Sequence, residues 1–92
     1  MKRFLIINGN YVTIIEVANF QEAKEVAVSF CDFSKQTTVN QIESKIVIPS
    51  KEYANVKIQY VSESATNIFY LTVDKNQYYF DNSTGEHIFE LL

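Results

Sequence analysis

Tryptophan is absent from this chain, and cysteine, histidine, proline and methionine occur once each. Cys31 has no partner for an internal disulfide, so packing alone must hold the fold, as suits a reducing compartment. One Cys and one His (His87) cannot supply the four N or S ligands of a structural zinc site. The two glycines, Gly9 and Gly85, are isolated, which leaves no loop able to cradle a phosphate. So little Gly and Pro argues against disorder and long linkers. A basic excess is missing too. The net charge is −3, so direct binding of nucleic acid through phosphate contacts is not expected. Long apolar runs are also lacking. The segment Met1-Lys2-Arg3-Phe4-Leu5-Ile6-Ile7 starts like a signal peptide, but its apolar run stops at Asn8-Gly9-Asn10 with no small-residue cleavage site. No stretch approaches the roughly 18 apolar residues of a membrane span. The expectation is a cytoplasmic protein with no membrane partner.

What is present fits one globular domain over residues 1–92, with 47% hydrophobic and 21% charged residues. Aromatics are abundant, as seven Phe and six Tyr. Asn, Ile and Lys are frequent and Arg occurs once, which suits the AT-rich codons of low-GC bacteria and of their phages and plasmids. Charge is uneven along the chain. Residues 1–60 carry seven basic against six acidic residues, and residues 61–92 carry Lys75 against Glu63, Asp74, Asp81, Glu86 and Glu90. The C-terminal third is the acidic part.

Local patterns give an order of elements. Lys2–Ile7 and Tyr11–Val17 are β-branched and aromatic, and Asn8-Gly9-Asn10 between them is a hairpin signal. A helix is predicted over Asn19–Phe33, with Asn19 as cap, Glu22 three residues on, and Phe20, Ala23, Ala27 and Phe30 on one face. The period then falls to two. Thr37–Ile48 places Ile42, Ile46 and Ile48 on one side, and Pro49 ends the strand. Asn55–Val61 alternates Val56, Ile58 and Tyr60 with Lys57 and Gln59. Residues 62–67 read as a loop, Ile68–Asp74 as a strand, Lys75-Asn76 as a turn and Gln77–Asp81 as a strand. A bulged turn at 82–85 leads to a last strand, Glu86–Leu91. The fold class is therefore α+β, an antiparallel meander with one helix packed on one face, in the order ββαβββββ.

The sequence offers little catalytic chemistry. Cys31 and His87 are the one available Cys–His pair, but Cys31 reads as a small apolar residue at a helix end and His87 as a strand residue. Asp74, Asp81 and Glu86 flank turns, where carboxylates are normally solvated. The spacing of Asp74, Asn76 and Asp81 does not match a calcium loop. Asn82-Ser83-Thr84 matches a glycosylation sequon, which operates only in a secreted protein. No enzyme activity, metal or cofactor is expected.

The tyrosines are the more informative feature. Adjacent aromatics in Gln77-Tyr78-Tyr79-Phe80-Asp81 must point to opposite faces, so Tyr79 looks out if Tyr78 and Phe80 look in; the alternative is a strongly curved sheet whose core the aromatics fill. The segment Tyr79-Phe80-Asp81-Asn82-Ser83-Thr84-Gly85-Glu86 resembles the strand–turn–strand that ends PepSY-type domains, and a helix followed by strands is similar to that family as well. The resemblance implies a ligand-binding or peptidase-regulating domain. It is confined to a hairpin whose turn itself favours these residues, and the N-terminal hairpin departs from the family.

The leading expectation is a small binding protein, a phage or mobile-element accessory factor that inhibits a host protein, for example an anti-CRISPR inhibitor. An acidic, Tyr-rich surface of Tyr70, Asp74, Tyr79, Asp81, Glu86 and Glu90 would carry the contact, imitating nucleic acid towards a basic cleft. The alternative is a self-associating structural protein built by β-edge pairing. Monomer and homodimer are both open.

Overall fold

The computed structural model describes residues 1–65 and 67–82. Their order is β1 (Lys2–Asn8), β2 (Tyr11–Val17), α1 (Phe20–Phe30), β3 (Thr37–Ile42), β4 (Lys51–Glu52), β5 (Val56–Tyr60), β6 (Ile68–Val73) and β7 (Asn76–Asp81). The class is α+β and the order reads ββαβββββ, as the sequence indicates. One strand in that count, β4, is not among those expected from the sequence, however. The described residues contain the two-residue β4, whereas Glu86–Leu91 lies outside them.

The strands form two antiparallel sheets rather than one curved sheet. The first runs β3-β1-β2-β4 and the second β5-β6-β7. The cause lies in β1. Phe4, Leu5, Ile6 and Ile7 are consecutive and all buried, so both faces of this strand need cover. Phe4 and Ile6 point to one side, where they meet Val17, Val39, Ala23 and Ala27 beneath α1. Leu5 and Ile7 point to the other side, where they join Val12, Ile42 and Ile48 against Phe69, Leu71, Val73 and Phe80. The result is three layers, helix on sheet on sheet. Each fully buried large apolar side chain contributes about 1.5–3 kcal/mol. Phe69 and Phe80 stack at 5.1 Å in the second core.

The helix follows its sequence signals closely. Asn19 accepts from the Glu22 amide at 2.9 Å, and the Glu22 carboxylate accepts from the Ala18 amide at 3.0 Å. Ala23 and Ala27 are fully buried, and their small size brings the helix close to the sheet. The helix ends at Phe30 rather than Phe33. There Phe30 turns partly outward, edge-on to Tyr11 at 5.9 Å.

The first hairpin is tighter than the sequence suggests. Asn8 pairs with Tyr11 and belongs to the strand, so Gly9-Asn10 is the whole loop. Gly9 has φ +60°, and Asn10 keeps a negative φ, the pattern of a type II′ turn. The Asn8 side chain is then free for another task. Its Nδ2 donates to the Asp32 carbonyl at 2.9 Å and to Thr37 Oγ1 at 2.7 Å, while its Oδ1 accepts from the Asp32 amide at 3.0 Å. These bonds pin the loop between α1 and β3 to the end of β1.

The strand expected over Thr37–Ile48 stops at Ile42. Residues 43–50 cross from the β3 edge of the first sheet to its β4 edge, without ladder partners. Side chains meet their backbone instead. The Arg3 guanidinium donates to the carbonyls of Ser44 and Ile46, and Asn82 Oδ1 accepts from the Glu43 amide. Ile46 and Ile48 still reach the same core as Ile42, so the apolar spacing was informative although the strand was not. Arg3 is mostly covered, with Glu16 at 3.6 Å as its one ion-pair partner among the described residues. Replacing Arg3 with Met keeps the stem but removes the donors. The expected loss is about 1.5–3 kcal/mol, the range for hydrogen bonds to a charged group, seen as a lower urea midpoint at unchanged slope.

Candidate functional site

Alternation along β6 and β7 sorts the second sheet into two unlike faces. Phe69, Leu71, Val73 and Phe80 are buried in the core, with Tyr78 packed against it. Tyr70 and Tyr79 point the other way and are 39% and 50% exposed. They are direct partners across the β6–β7 ladder, with ring centroids 5.1 Å apart and planes tilted by 52°. The sequence rule that Tyr79 looks out when Tyr78 and Phe80 look in therefore describes this hairpin.

The ladders place the rest of the outer face. Gln59 lies opposite Tyr70, so Gln59, Tyr70 and Tyr79 form one row across the three strands. Lys57, Thr72 and Gln77 form the row towards the β6–β7 turn, and Ile68 with Asp81 the row at the far end. Val61 continues beyond β5 beside Ile68 and is 55% exposed. The centre of this face is aromatic and its corners are polar or charged. Such an arrangement offers rigid contact area with hydroxyl tips for polar contacts.

The acidic residues proposed alongside the tyrosines are not all deployed in the same way. Asp81 shares the face of Tyr79. Asp74 sits at the tip of the hairpin, where the loop is Asp74-Lys75, one residue earlier than Lys75-Asn76. Its amide donates to the Asn55 carbonyl at 2.8 Å, and its carboxylate accepts from the Asn55 amide at 3.0 Å. Asp74 thus clamps the entry to β5, and it does so at φ 53°, in the left-handed region. Glu86 and Glu90 lie outside the described residues, as do His87 and the second half of the PepSY-like segment, residues 83–86.

Other chemistry is sparse among the described residues. No three His, Cys, Asp or Glu side chains there come together as a metal site, and Asp74 and Asp81 stand at opposite ends of β7. Cys31 caps α1 at its C-terminus, and partial burial pushes its thiol above the usual range. That shift lowers the thiolate fraction, the opposite of what a nucleophile needs. Asp32 is held below the usual carboxylate range by hydrogen bonds from Ser34, then by Lys35, which suits a turn carboxylate. A cleft of about 170 Å³ opens between the sheets near Ile7, Thr38, Val56 and Ile58. No charged side chain lines it, so it offers packing and amide contacts but no acid or base. The sequon residue Asn82 is 1% exposed, and its Oδ1 holds the Glu43 amide, so the folded chain shields it from modification. No helix among the described residues is long and apolar enough to cross a membrane.

Sequence reasoning missed the polar anchors Arg3, Asn8 and Asn82. Arg3 and Asn8 lie in β1 and Asn82 follows β7, and their partners, in residues 32–46, could not be read from local pattern. No family model matches the chain, and no curated protein or solved structure matches it either.

The Asp74 clamp separates two effects by substitution. Asp74→Asn keeps an acceptor and tolerates the left-handed conformation, so it should stay within about 0.5 kcal/mol of the parent. Asp74→Ala loses the bond to Asn55 and adds backbone strain, so about 1–2 kcal/mol should be lost. Asp74→Gly loses the bond but relaxes the backbone and should fall between them. Urea unfolding of the three variants reads this order.

Proposed function

We propose that this chain is a small, non-enzymatic binding protein that engages a protein partner through the outer face of β5–β6–β7. The observation that carries the reading is the exposed Tyr70–Tyr79 pair, set on the face opposite the buried core. Two adjacent exposed tyrosines on a rigid sheet supply contact area at little entropic cost, because only two torsions per ring must be fixed. Tyrosine is among the residues that most often dominate interface energetics.

Size limits what the patch can do. Three strands about 4.8 Å apart and five residues at about 3.4 Å each cover roughly 250 Å² of plan area. A standard interface buries about 800 Å² per partner. The tyrosine rows therefore serve as the centre of a contact, with Lys57, Gln59, Gln77 and Asp81 at its rim. Closure of this patch alone onto a second copy falls short of a stable homodimer.

The acidic C-terminal third favours a partner with a basic cleft, and a cytoplasmic host factor that handles nucleic acid is the concrete form of that idea. In this version the chain, carried by a phage or mobile element, inhibits the factor by occupying its surface, and an anti-CRISPR inhibitor is one instance. The version rests on the charge of Asp81, Glu86 and Glu90. With Asp74 committed to its clamp, its carboxylate contributes field rather than a flexible contact.

The experiment is quantitative capture from low-GC bacterial lysate with the parent and with a Tyr70→Thr, Tyr79→Thr double variant. Threonine suits strands, so the double variant should stay folded, with a loss of about 0.5–1.5 kcal/mol from the cross-strand pair. A partner held by this face should fall at least about tenfold in recovery, as expected for hot-spot truncation. Undiminished recovery with the folded double variant overturns the assignment to this face. Charge reversal at Asp81 and Glu86 tests the acidic version separately, and unchanged capture removes it.

A further inference from the structure

The one Asn–Gly step of the chain, Asn8-Gly9, sits in a setting that bears on its chemical lifetime. Asparagine followed by glycine is prone to intramolecular deamidation, because glycine leaves the next amide nitrogen unhindered. In that reaction the Gly9 nitrogen loses its proton to base and bonds to Asn8 Cγ. The Cγ–Nδ2 bond breaks, and ammonia leaves with a proton from water. The resulting five-membered imide then adds water across one of its two C–N bonds. The product is aspartate or isoaspartate at position 8. No redox partner is needed, only water and base.

In the folded chain every group this reaction uses is engaged. The departing Nδ2 donates to the Asp32 carbonyl and to Thr37 Oγ1. Oδ1 accepts from the Asp32 amide, which with the two Nδ2 bonds fixes the side chain's orientation away from free rotation onto the next amide. The nucleophile is engaged as well, since the Gly9 amide donates to the Gln36 carbonyl at 2.9 Å, which screens the proton that base must remove. Asn8 is a strand residue, 7% exposed, and the type II′ geometry of Gly9 fixes the peptide between them. Gly9 sits at φ +60°, a conformation that L side chains rarely adopt, so glycine, the residue that makes the step labile, is also demanded by the turn.

We propose that Asn8-Gly9 is a latent deamidation site that the native fold locks, and that each opening of the α1–β3 loop exposes it to irreversible modification. The product cannot rebuild the lock. A carboxylate at position 8 has no donor for the Asp32 carbonyl, so it sets acceptor against acceptor in a nearly buried place and leaves a charge there. An isoaspartate adds a backbone atom at the end of β1. Modified chains therefore open more readily than intact ones, and the change accumulates in one direction.

The test incubates the full chain in mildly alkaline buffer, native and in urea, followed by intact mass and peptide mapping. Conversion of the amide to acid at position 8 should be rapid in urea. It should be slower by roughly a hundredfold or more in the native state, as for a reaction limited by opening. Thr37→Val removes one acceptor of Nδ2 and should raise the native rate several-fold while leaving the rate in urea unchanged. Equal rates in native and unfolded chains overturn the lock. No conversion at position 8 in urea overturns the site. A native rate untouched by Thr37→Val, in a variant that remains folded, overturns the assignment of the lock to this hydrogen-bond set.

Discussion

Strand β1 is apolar on both faces, and most of the architecture follows from that condition. Phe4 and Ile6 demand a helix on one side, while Leu5 and Ile7 demand a second sheet on the other. Neither cover is optional, because exposing two large side chains on either face forfeits several kcal/mol of burial, about 1.5–3 for each. Neighbours on both sides complete the pairing, with β2 and β3 flanking β1 in continuous antiparallel register. The second sheet exists to cap this strand, and its outer face is thereby freed from any duty to the core.

Where the ladders stop, polar side chains take over the unpaired backbone. Asn8 holds the loop after α1, Arg3 and Asn82 hold residues 43–50, and Asp74 holds the start of β5. All four bridge segments distant in sequence. A buried backbone group without a partner costs about as much as a lost hydrogen bond, so these residues decide the path of the irregular chain. They also explain why a chain with two glycines and one proline can turn so often. Its turns are secured by side chains more than by backbone permissiveness.

Elements governed by short-range rules were legible in the sequence. The first hairpin, the Asn19 cap, the Ala23–Ala27 contact face and the in–out alternation of Tyr78, Tyr79 and Phe80 all depend on residues within a few positions of each other. The division into two sheets was written in Phe4–Ile7 as well, since a run without alternation signals two covered faces, but one curved sheet satisfies the local pattern equally. The end of β3 was not legible. Ile42, Ile46 and Ile48 keep strand-like spacing because they enter one core, while Arg3, some forty residues away, takes the carbonyls that a ladder would use. For the candidate site, the outward pointing of Tyr79 followed from alternation once Tyr78 and Phe80 faced the core, whereas Tyr70 lies in a strand with bulk on both faces, and its direction was not legible. The task of Asp74 was not legible either, because its partner Asn55 lies on another strand's approach.

The tyrosine pair must be weighed against its own contribution to folding. Cross-strand aromatic pairs stabilise an antiparallel sheet by roughly 0.5–1.5 kcal/mol beyond their area, so Tyr70 and Tyr79 have a reason to exist without any partner. That reason does not account for where they are. The same gain inside the core is already taken by Phe69 and Phe80, whose rings stack at the neighbouring register position on the opposite face. On the outer face β-branched residues would secure the strands while exposing less apolar surface, as Thr72 does one row away. A small domain that keeps two half-exposed rings side by side, ringed by Gln59, Gln77, Lys57 and Asp81, retains apolar area that water penalises and folding does not require. The proposed contact with another protein would make that area favourable.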